Sequence, residues 1–229
     1  KKLLQNHDYD EAMSLIVGGL YDKVGNLEYY LLKYFGLEKN HNILDIGCGS
    51  GRLAYSLKNF LSGKYVGYDI LQDPLDYAKK KCSRDDWEFN LIDGENLSFA
   101  SSSFHFVTFF SVFTHLLDED IFVYLQESSR VLEPNGKIIF SFLDFECQSH
   151  WAIFENSLKE RNQDHVMNSF LSKSTIEIWA KKLDLKIDHF FDGNNDFIPY
   201  PEQISNDGNE NNITSKSAFG QSIAVLSFS

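Results

Sequence analysis

One segment of the chain, residues 42–52, combines an acidic residue with three alternating glycines directly after an apolar run. It reads NILDIGCGSGR, and its glycines are Gly47, Gly49 and Gly51. Glycine permits a tight turn and a close approach of a ligand to the backbone, because it has no side chain. The residues that follow have helical spacing, and the first amides of a helix are free to bind a ligand. The segment therefore predicts a strand, a ligand-binding turn and a helix.

Two classes of cofactor are bound by glycine-rich turns of this kind. A dinucleotide-binding turn needs a small residue at its sixth position, where helix and strand pack closely, but Arg52 stands there. It also has no need of an acid before its first glycine, whereas this chain has Asp45. The block at residues 44–51 instead resembles the first motif of the class I S-adenosylmethionine (SAM) methyltransferases. The cofactor contacts that this resemblance implies here are Asp45, Gly47, Cys48, Gly49 and Arg52.

Strands and helices are predicted to alternate along most of the chain. Six strands are predicted after the one in the motif, at residues 64–69, 87–92, 104–110, 137–143, 185–191 and 222–227. Helices are predicted at residues 11–20, 27–35, 53–61, 73–82, 118–130, 149–170 and 174–183. This pattern predicts an α/β fold, namely a Rossmann-like, mostly parallel seven-stranded sheet with helices on both faces. The last strand is expected to be antiparallel.

Several polar residues follow predicted strands, and ligands of parallel sheets bind beyond the carboxyl ends of the strands. Asp69 ends the second strand, whereas Asp93 directly follows the third and Ser111 the fourth. In the methyltransferase family, an acid at the end of the second strand holds both ribose hydroxyls, and Asp69 matches this acid. The next residue, Ile70, would lie against the adenine. Asp93 matches the family acid near the adenine amino group. The remaining cofactor contacts predicted at this edge are Gly94, Phe110 and Ser111.

The segments at residues 111–116, 124–127 and 130–137 resemble the branch of this family that modifies small molecules. Residues 111–116 together with residues 49–52 resemble a bacterial group often linked with the modification of glycans or natural products. His115 is the predicted catalytic base, because an alcohol must lose its proton when it accepts a methyl group. The alternative is that His115 caps a helix or braces the loop. Arg52 likewise has two interpretations, a ligand contact or an ion pair with an acid. The residues predicted to line the acceptor are Tyr21, His150 and Trp151.

Composition excludes some classes of partner. The formal net charge is −12 and no basic stripe is present, so nucleic acid is not an expected substrate. No apolar run approaches the roughly twenty residues of a membrane span, so no membrane association is expected. The first residues carry no apolar signal segment, and the three cysteines form no disulfide or metal pattern. A cytoplasmic protein without a metal is expected.

The 229 residues are predicted to form one methyltransferase domain. Residues 1–40 would form N-terminal helices that act as a lid, and residues 41–143 the cofactor-binding core. Residues 144–183 would form an insertion that faces the substrate. Residues 184–229 would hold the closing strands, with a long mobile loop at residues 192–217.

The predicted reaction is the in-line transfer of a methyl group from SAM, leaving S-adenosylhomocysteine (SAH). The predicted acceptor is a small molecule or glycan, with a hydroxyl oxygen favoured as the nucleophile. Three alternatives stay open: methylation of an amine or carboxylate, a non-catalytic SAM-binding subunit, and a nicotinamide oxidoreductase. Arg52 and Asp45 argue against the last of these.

Overall fold

A computed structural model describes residues 6–92, 94, 97–162, 166–201 and 215–229. In chain order the helices are α1 (Tyr9–Ile16), α2 (Tyr21–Tyr34), α3 (Arg52–Leu57), α4 (Gln72–Cys82), α5 (Asp118–Val131), α6 (Gln148–Glu160) and α7 (Lys173–Lys182). The strands are β1 (Ile43–Ile46), β2 (Tyr65–Asp69), β3 (Glu88–Leu91), β4 (Phe104–Phe109), β5 (Leu132–Phe142), β6 (Leu185–Phe191), β7 (Ile198–Tyr200), β8 (Ser215–Ser217) and β9 (Ser222–Phe228).

The seven-stranded sheet has the order β3-β2-β1-β4-β5-β9-β6, and β7 pairs with β8 in a separate hairpin. The pairs β1–β4, β2–β3 and β4–β5 are parallel, whereas β9 is antiparallel to both β5 and β6. Every residue of β1 is buried, and β4 is buried at five of its six positions, as expected for central parallel strands. The predicted Rossmann-like fold with an antiparallel last strand is confirmed.

The chain divides into two compact units. The first unit consists of Lys1–His41, Gly47–Ile92 and Asp196–Ala218. It contains α1 to α4, the strands β2 and β3, and the β7–β8 hairpin. The second unit consists of Asn42–Ile46, Asp93–Asn195 and Phe219–Ser229, and it contains the other strands and helices. The predicted division into lid, core, insertion and closing strands stays a prediction.

Some predicted boundaries were wrong, for local reasons. The first helix ends at Ile16 rather than at residue 20, because Gly18, Gly19 and Leu20 have positive φ angles. The second helix begins directly after them, at Tyr21 rather than at residue 27. The insertion helix α6 ends at Glu160, ten residues before the predicted end. Two short pieces of the predicted loop at residues 192–217 form β7 and β8, and residues 202–214 of it lie outside the described residues.

Candidate functional site

The turn after β1, residues 47–51, is called the glycine loop below. Gly47, Gly49 and Gly51 have φ angles of 72°, 53° and 80°, in the left-handed region that glycine adopts without strain. The backbone amides of Gly47 and Cys48 both donate to the carbonyl oxygen of Tyr68, at 2.7 and 2.9 Å. The glycine loop is therefore fixed to the carboxyl end of β2, as the motif requires.

Asp69, the last residue of β2, is bonded to the same loop. Its Oδ2 accepts from the Gly49 amide at 2.8 Å, and its Oδ1 accepts from the Leu71 amide at 3.0 Å. Burial raises the pKa of the Asp69 carboxyl, and hydrogen bonds from the amides of Leu71, Gly49 and Ile70 oppose that rise. Each carboxylate oxygen offers about two lone pairs, so further donors can still be accepted. Beside it, the Ile70 side chain is 75% exposed.

The N-terminal segment packs against the glycine loop. The Ser50 hydroxyl donates to the Met13 carbonyl at 2.8 Å, and the Tyr21 hydroxyl donates to the Ser50 carbonyl at 2.8 Å. A Cβ atom placed on Gly49 would lie 2.4 Å from Cγ1 of Val17. Tyr21 is buried, and burial raises the pKa of its phenol, so the hydroxyl remains a donor. A role for Tyr21 in lining the acceptor stays a prediction.

Arg52 is a buried cation in this region. Its Nε and Nη2 donate to Oε1 of the buried Glu28, both at 2.7 Å, and its Nη1 donates to the Val17 carbonyl. Of the two interpretations of Arg52, the ion pair with an acid is the one the structure contains. The pair ties α3 to α2 and holds Val17 over the glycine loop. A contact between Arg52 and the cofactor stays a prediction.

In the second unit, Asp45 is buried within β1, one residue before the strand ends. The Thr108 hydroxyl donates to Oδ1 of Asp45 at 2.8 Å. These two residues are register partners of the parallel pair β1–β4. Sequence reasoning missed Thr108, because its place opposite Asp45 depends on the register between β1 and β4, which the sequence alone does not fix.

Three polar side chains, Ser111, Ser141 and Gln221, form a serine–glutamine cluster. The Ser111 amide donates to Oγ of Ser141 at 2.7 Å, and Oε1 of Gln221 lies 2.6 Å from Oγ of Ser141 and 3.4 Å from Oγ of Ser111. Ser111 has a φ angle of 60°, which is strained for a residue other than glycine. The preceding residue, Phe110, is buried with its ring centroid 5.5 Å from that of Phe219. Ser141 and Gln221 carry no sequence signal.

His115 ends a short 3₁₀ helix, Phe113–His115, and its ring is exposed. Its Nδ1 lies 2.8 Å from the carbonyl oxygen of Met167. A carbonyl only accepts, so Nδ1 carries the proton in this bond, and Nε2 of the neutral ring is left as an acceptor. Ser169 fixes this geometry, because its amide donates to the Thr114 carbonyl at 2.7 Å and its hydroxyl to the Leu116 carbonyl at 2.6 Å.

The two other residues predicted to line the acceptor differ from each other. His150 is fully buried: Nδ1 accepts from the Asp144 amide at 2.9 Å, and Nε2 donates to the Gly220 carbonyl at 3.0 Å. Trp151 is 46% exposed, and its ring centroid lies 6.2 Å from that of Phe145. Contact of either residue with an acceptor stays a prediction.

Two further predicted cofactor contacts lie after β3. Gly94 has a φ angle of 87° and open space around the position of a Cβ atom, whereas Asp93 lies outside the described residues. A search of the described residues found no group of three or more histidine, cysteine or acidic side chains that could hold a metal ion. No helix in the described parts of the chain is both long and apolar enough to cross a bilayer.

Comparison with known proteins identifies the family. A family model described as a methyltransferase domain matches residues 44–140, which include all of β1 but its first residue, the glycine loop, Asp69, Ser111 and His115. The chain belongs to the class I SAM-dependent methyltransferases. This methyltransferase is therefore expected to use SAM and to release SAH, and the nicotinamide alternative is set aside.

Individual relatives cover different shares of the chain. The methyltransferase is 31% identical over 177 residues to the biotin biosynthesis bifunctional protein BioHC of Saccharophagus degradans, covering 73% of this chain but only 31% of that protein. It is 26% identical over 189 residues to a ubiquinone biosynthesis O-methyltransferase of Hydrogenovibrio crunogenus, covering 80% of this chain and 76% of that protein. Its fold resembles magnesium protoporphyrin IX methyltransferase of Synechocystis PCC 6803 with bound SAH, at 14% identity and a TM-score of 0.62, covering 91% of this chain and 86% of that one.

The residues of the first unit fit the family cofactor. The two oxygens of Asp69 offer about four acceptor sites in all, so ribose hydroxyls can be accepted there beside the backbone amides. Ile70 offers an exposed apolar side chain next to it, which suits an adenine ring. SAM supplies a methyl group on a positively charged sulfur. The protein has to bind that group and bring a nucleophile into line with it.

Proposed function

We propose that the methyltransferase transfers a methyl group from SAM to a hydroxyl oxygen of a small molecule or glycan. The observation that carries this proposal is the hydrogen bond from Nδ1 of His115 to the Met167 carbonyl. It sets the tautomer in which Nε2 is a proton acceptor, and hydroxyl acceptors need one whereas neutral amines do not. The similarity to the Hydrogenovibrio relative, a ubiquinone biosynthesis O-methyltransferase, supports the same acceptor atom.

Different residues would bind the cofactor and accept the proton of the methyl acceptor. The glycine loop, Asp69 and Ile70 would hold the cofactor. SAM would supply the methyl group, and the acceptor oxygen would take it as the carbon–sulfur bond breaks with its electron pair left on sulfur. The hydroxyl proton passes to Nε2 of His115, and the Met167 carbonyl stabilises the resulting imidazolium through its bond with Nδ1.

An aromatic surface supports a flat acceptor. Phe145 and Phe170 stack with centroids 4.6 Å apart, and Trp151 and Phe154 pack beside them. Phe145 and Trp151 are each 46% exposed, so their rings are accessible. Exposed ring faces suit aromatic rings and the apolar faces of sugars. The surface belongs to the same unit as His115, and Phe170 follows Met167 by three residues.

The proposal is tested by incubating the protein with SAM and a panel of phenols, sugars, amines and carboxylates, with SAH formation followed by mass spectrometry. His115→Gln should lower turnover of hydroxyl acceptors about 100-fold or more while SAH affinity, measured by calorimetry, stays within about twofold. The matched control is His7→Gln, because His7 is a partly exposed histidine of the first unit that contacts the exposed Glu11 in the next turn.

Each alternative has its own outcome in this experiment. Turnover of an amine that is equal in wild type and His115→Gln would favour N-methylation. Binding of SAM without SAH formation on any acceptor would favour a non-catalytic SAM-binding subunit. Turnover of a hydroxyl acceptor that survives His115→Gln would contradict the role of His115.

A further inference from the structure

The orientation of the Gln221 side-chain amide follows from the hydrogen bonds of Ser141. Ser141 is fully buried, and its hydroxyl oxygen already accepts from the Ser111 amide at 2.7 Å. The hydroxyl proton therefore needs an acceptor, and the Gln221 side-chain atom at 2.6 Å has to be its oxygen. If the Gln221 amide were reversed, its Nε2 and the Ser111 amide would both face Oγ of Ser141 as donors. The hydroxyl proton of Ser141 would then be buried without an acceptor.

This orientation turns Nε2 of Gln221 away from the two serines. The amide nitrogen carries two N–H donors, and among the described residues no hydrogen-bond partner for it is found. Gln221 is only partly buried, and its Nε2 is not among the fully buried side-chain atoms that lack a partner, so these donors are accessible. The two N–H donors of Gln221 are therefore available to a ligand beside Ser111. Ser111 itself lies four residues before His115 in the chain.

The backbone around Gln221 is held in place. The Gly220 amide donates to the Gly193 carbonyl at 2.9 Å, and the Gly220 carbonyl accepts from His150 at 3.0 Å. A Cβ atom on Gly193 would lie 2.8 Å from the carbonyl carbon of Gln221, so Gly193 packs directly on this residue. Gln221 is then followed at once by β9. A donor held this firmly is pre-organised for a ligand, because little side-chain and backbone freedom remains to be lost on binding.

We propose that the Gln221 amide donates to an oxygen of the methyl acceptor and so selects acceptors that carry an oxygen at that place. This inference rests on the proposed function, because the ligand is taken to be the acceptor. Gln221, Ser111 and His115 all belong to the second unit, so the donor and the candidate base are attached to the same segment after β4. His150 is then a positioning residue, because its bond to the Gly220 carbonyl holds the backbone next to Gln221.

The test is an NMR titration of the ¹⁵N-labelled protein saturated with SAH. The probes are catechol, benzoate and glycerol, which offer oxygen acceptors, and toluene, which does not. The Gln221 amide pair is assigned by its absence from the spectrum of Gln221→Met. It should shift with at least one oxygen probe and not with toluene. Gln221→Met, which keeps the length of the side chain, should weaken binding of that probe about fivefold to tenfold.

Gln221→Glu should weaken binding of benzoate further, since a carboxylate replaces the donor while an oxygen still faces Ser141. The matched control is Gln126→Met, at an exposed position of α5, and it should leave probe affinity unchanged. An amide pair that none of the oxygen probes shifts, or equal probe affinity in wild type and Gln221→Met, overturns the inference. A shifted amide without methyl transfer to any hydroxyl would leave Gln221 assigned and contradict the proposed function. Methyl transfer to a hydroxyl acceptor together with an unshifted Gln221 amide would support the proposed function and contradict the role of Gln221.

Discussion

The glycine loop and the serine–glutamine cluster present polar groups in different ways. In the glycine loop these groups belong to the backbone, and its bond to Asp69 joins residues 20 positions apart. In the cluster they are side chains, and Gln221 is bonded to residues 80 and 110 positions away. The loop thus depends on a backbone conformation that only glycine adopts freely, whereas the cluster depends on side chains that can be exchanged singly. We therefore expect changes in the loop to affect cofactor affinity and changes in the cluster to affect the acceptor.

The largest effect on SAH affinity is expected for Gly49→Ala. An added methyl group would meet Val17 at 2.4 Å, and a residue with a Cβ atom is strained at a φ of 53°. The variant should lose about 1–3 kcal/mol of unfolding free energy to overpacking in addition to the strain, and SAH affinity should fall at least about 100-fold. Urea denaturation and calorimetry measure the two effects.

The control for this change is Gly36→Ala. Gly36 also has a positive φ, 88°, but nothing lies within 4 Å of the position of its Cβ atom. Gly36→Ala should lose only the unfolding free energy that backbone strain costs, without any steric clash, and its SAH affinity should be unchanged. Equal losses of stability in the two variants would show that Val17 moves aside without loss, and that the N-terminal segment does not close tightly over the loop.

A smaller effect on the same region is expected for Asp69→Asn. The asparagine keeps the shape of the side chain but has one acceptor oxygen where the aspartate has two, so a backbone amide or a ribose hydroxyl loses its partner. Hydrogen bonds to a charged group are typically worth about 1.5–3 kcal/mol, so SAH affinity should fall about 10- to 100-fold. Asp73→Asn, at an exposed position of α4, is the control. Unchanged SAH affinity in Asp69→Asn would contradict the assignment of the ribose contact.

The raised pKa of Asp69 gives this prediction a dependence on pH. Wild-type SAH affinity should decline as the pH falls through the raised pKa, at a higher pH than for an ordinary aspartate, because the ionised form is the one that accepts both hydroxyls. The affinity of Asp69→Asn should stay flat there. The effect on folding has the opposite sign: the native state binds this proton more tightly than the unfolded state, so this group makes the free energy of unfolding decrease as the pH rises through that range.

The same contrast explains how much the sequence predicted. The glycine loop, Asp69 and the sheet were predictable, because a strand, a turn and the next strand lie within about thirty residues and repeat a local pattern. Gln221 and Ser141 were not, because their significance arises only when β5 and β9 pair antiparallel and bring residues 141 and 223 into register. His115 was predicted as a candidate base from its position after the fourth strand, but its tautomer depends on Met167, 52 residues further along.

The smallest effect on SAH affinity is expected for Ser141→Ala, which tests the other side of the comparison. Removing this hydroxyl leaves the Ser111 amide without its acceptor and leaves Oε1 of Gln221 with only its longer contact to Oγ of Ser111, so stability should fall by about 1–3 kcal/mol. Ser129→Ala, which removes one hydrogen bond from a partly exposed serine to its own helix, should lose less. SAH affinity should stay within about twofold of wild type, while binding of the NMR probe that shifts Gln221 should weaken, because the amide is no longer held in one orientation. A large loss of SAH affinity instead would mean that the serine–glutamine cluster supports the cofactor. In that case the amide of Gln221 would be aimed at an oxygen of SAM, and the division between a backbone site for the cofactor and a side-chain site for the acceptor would fail.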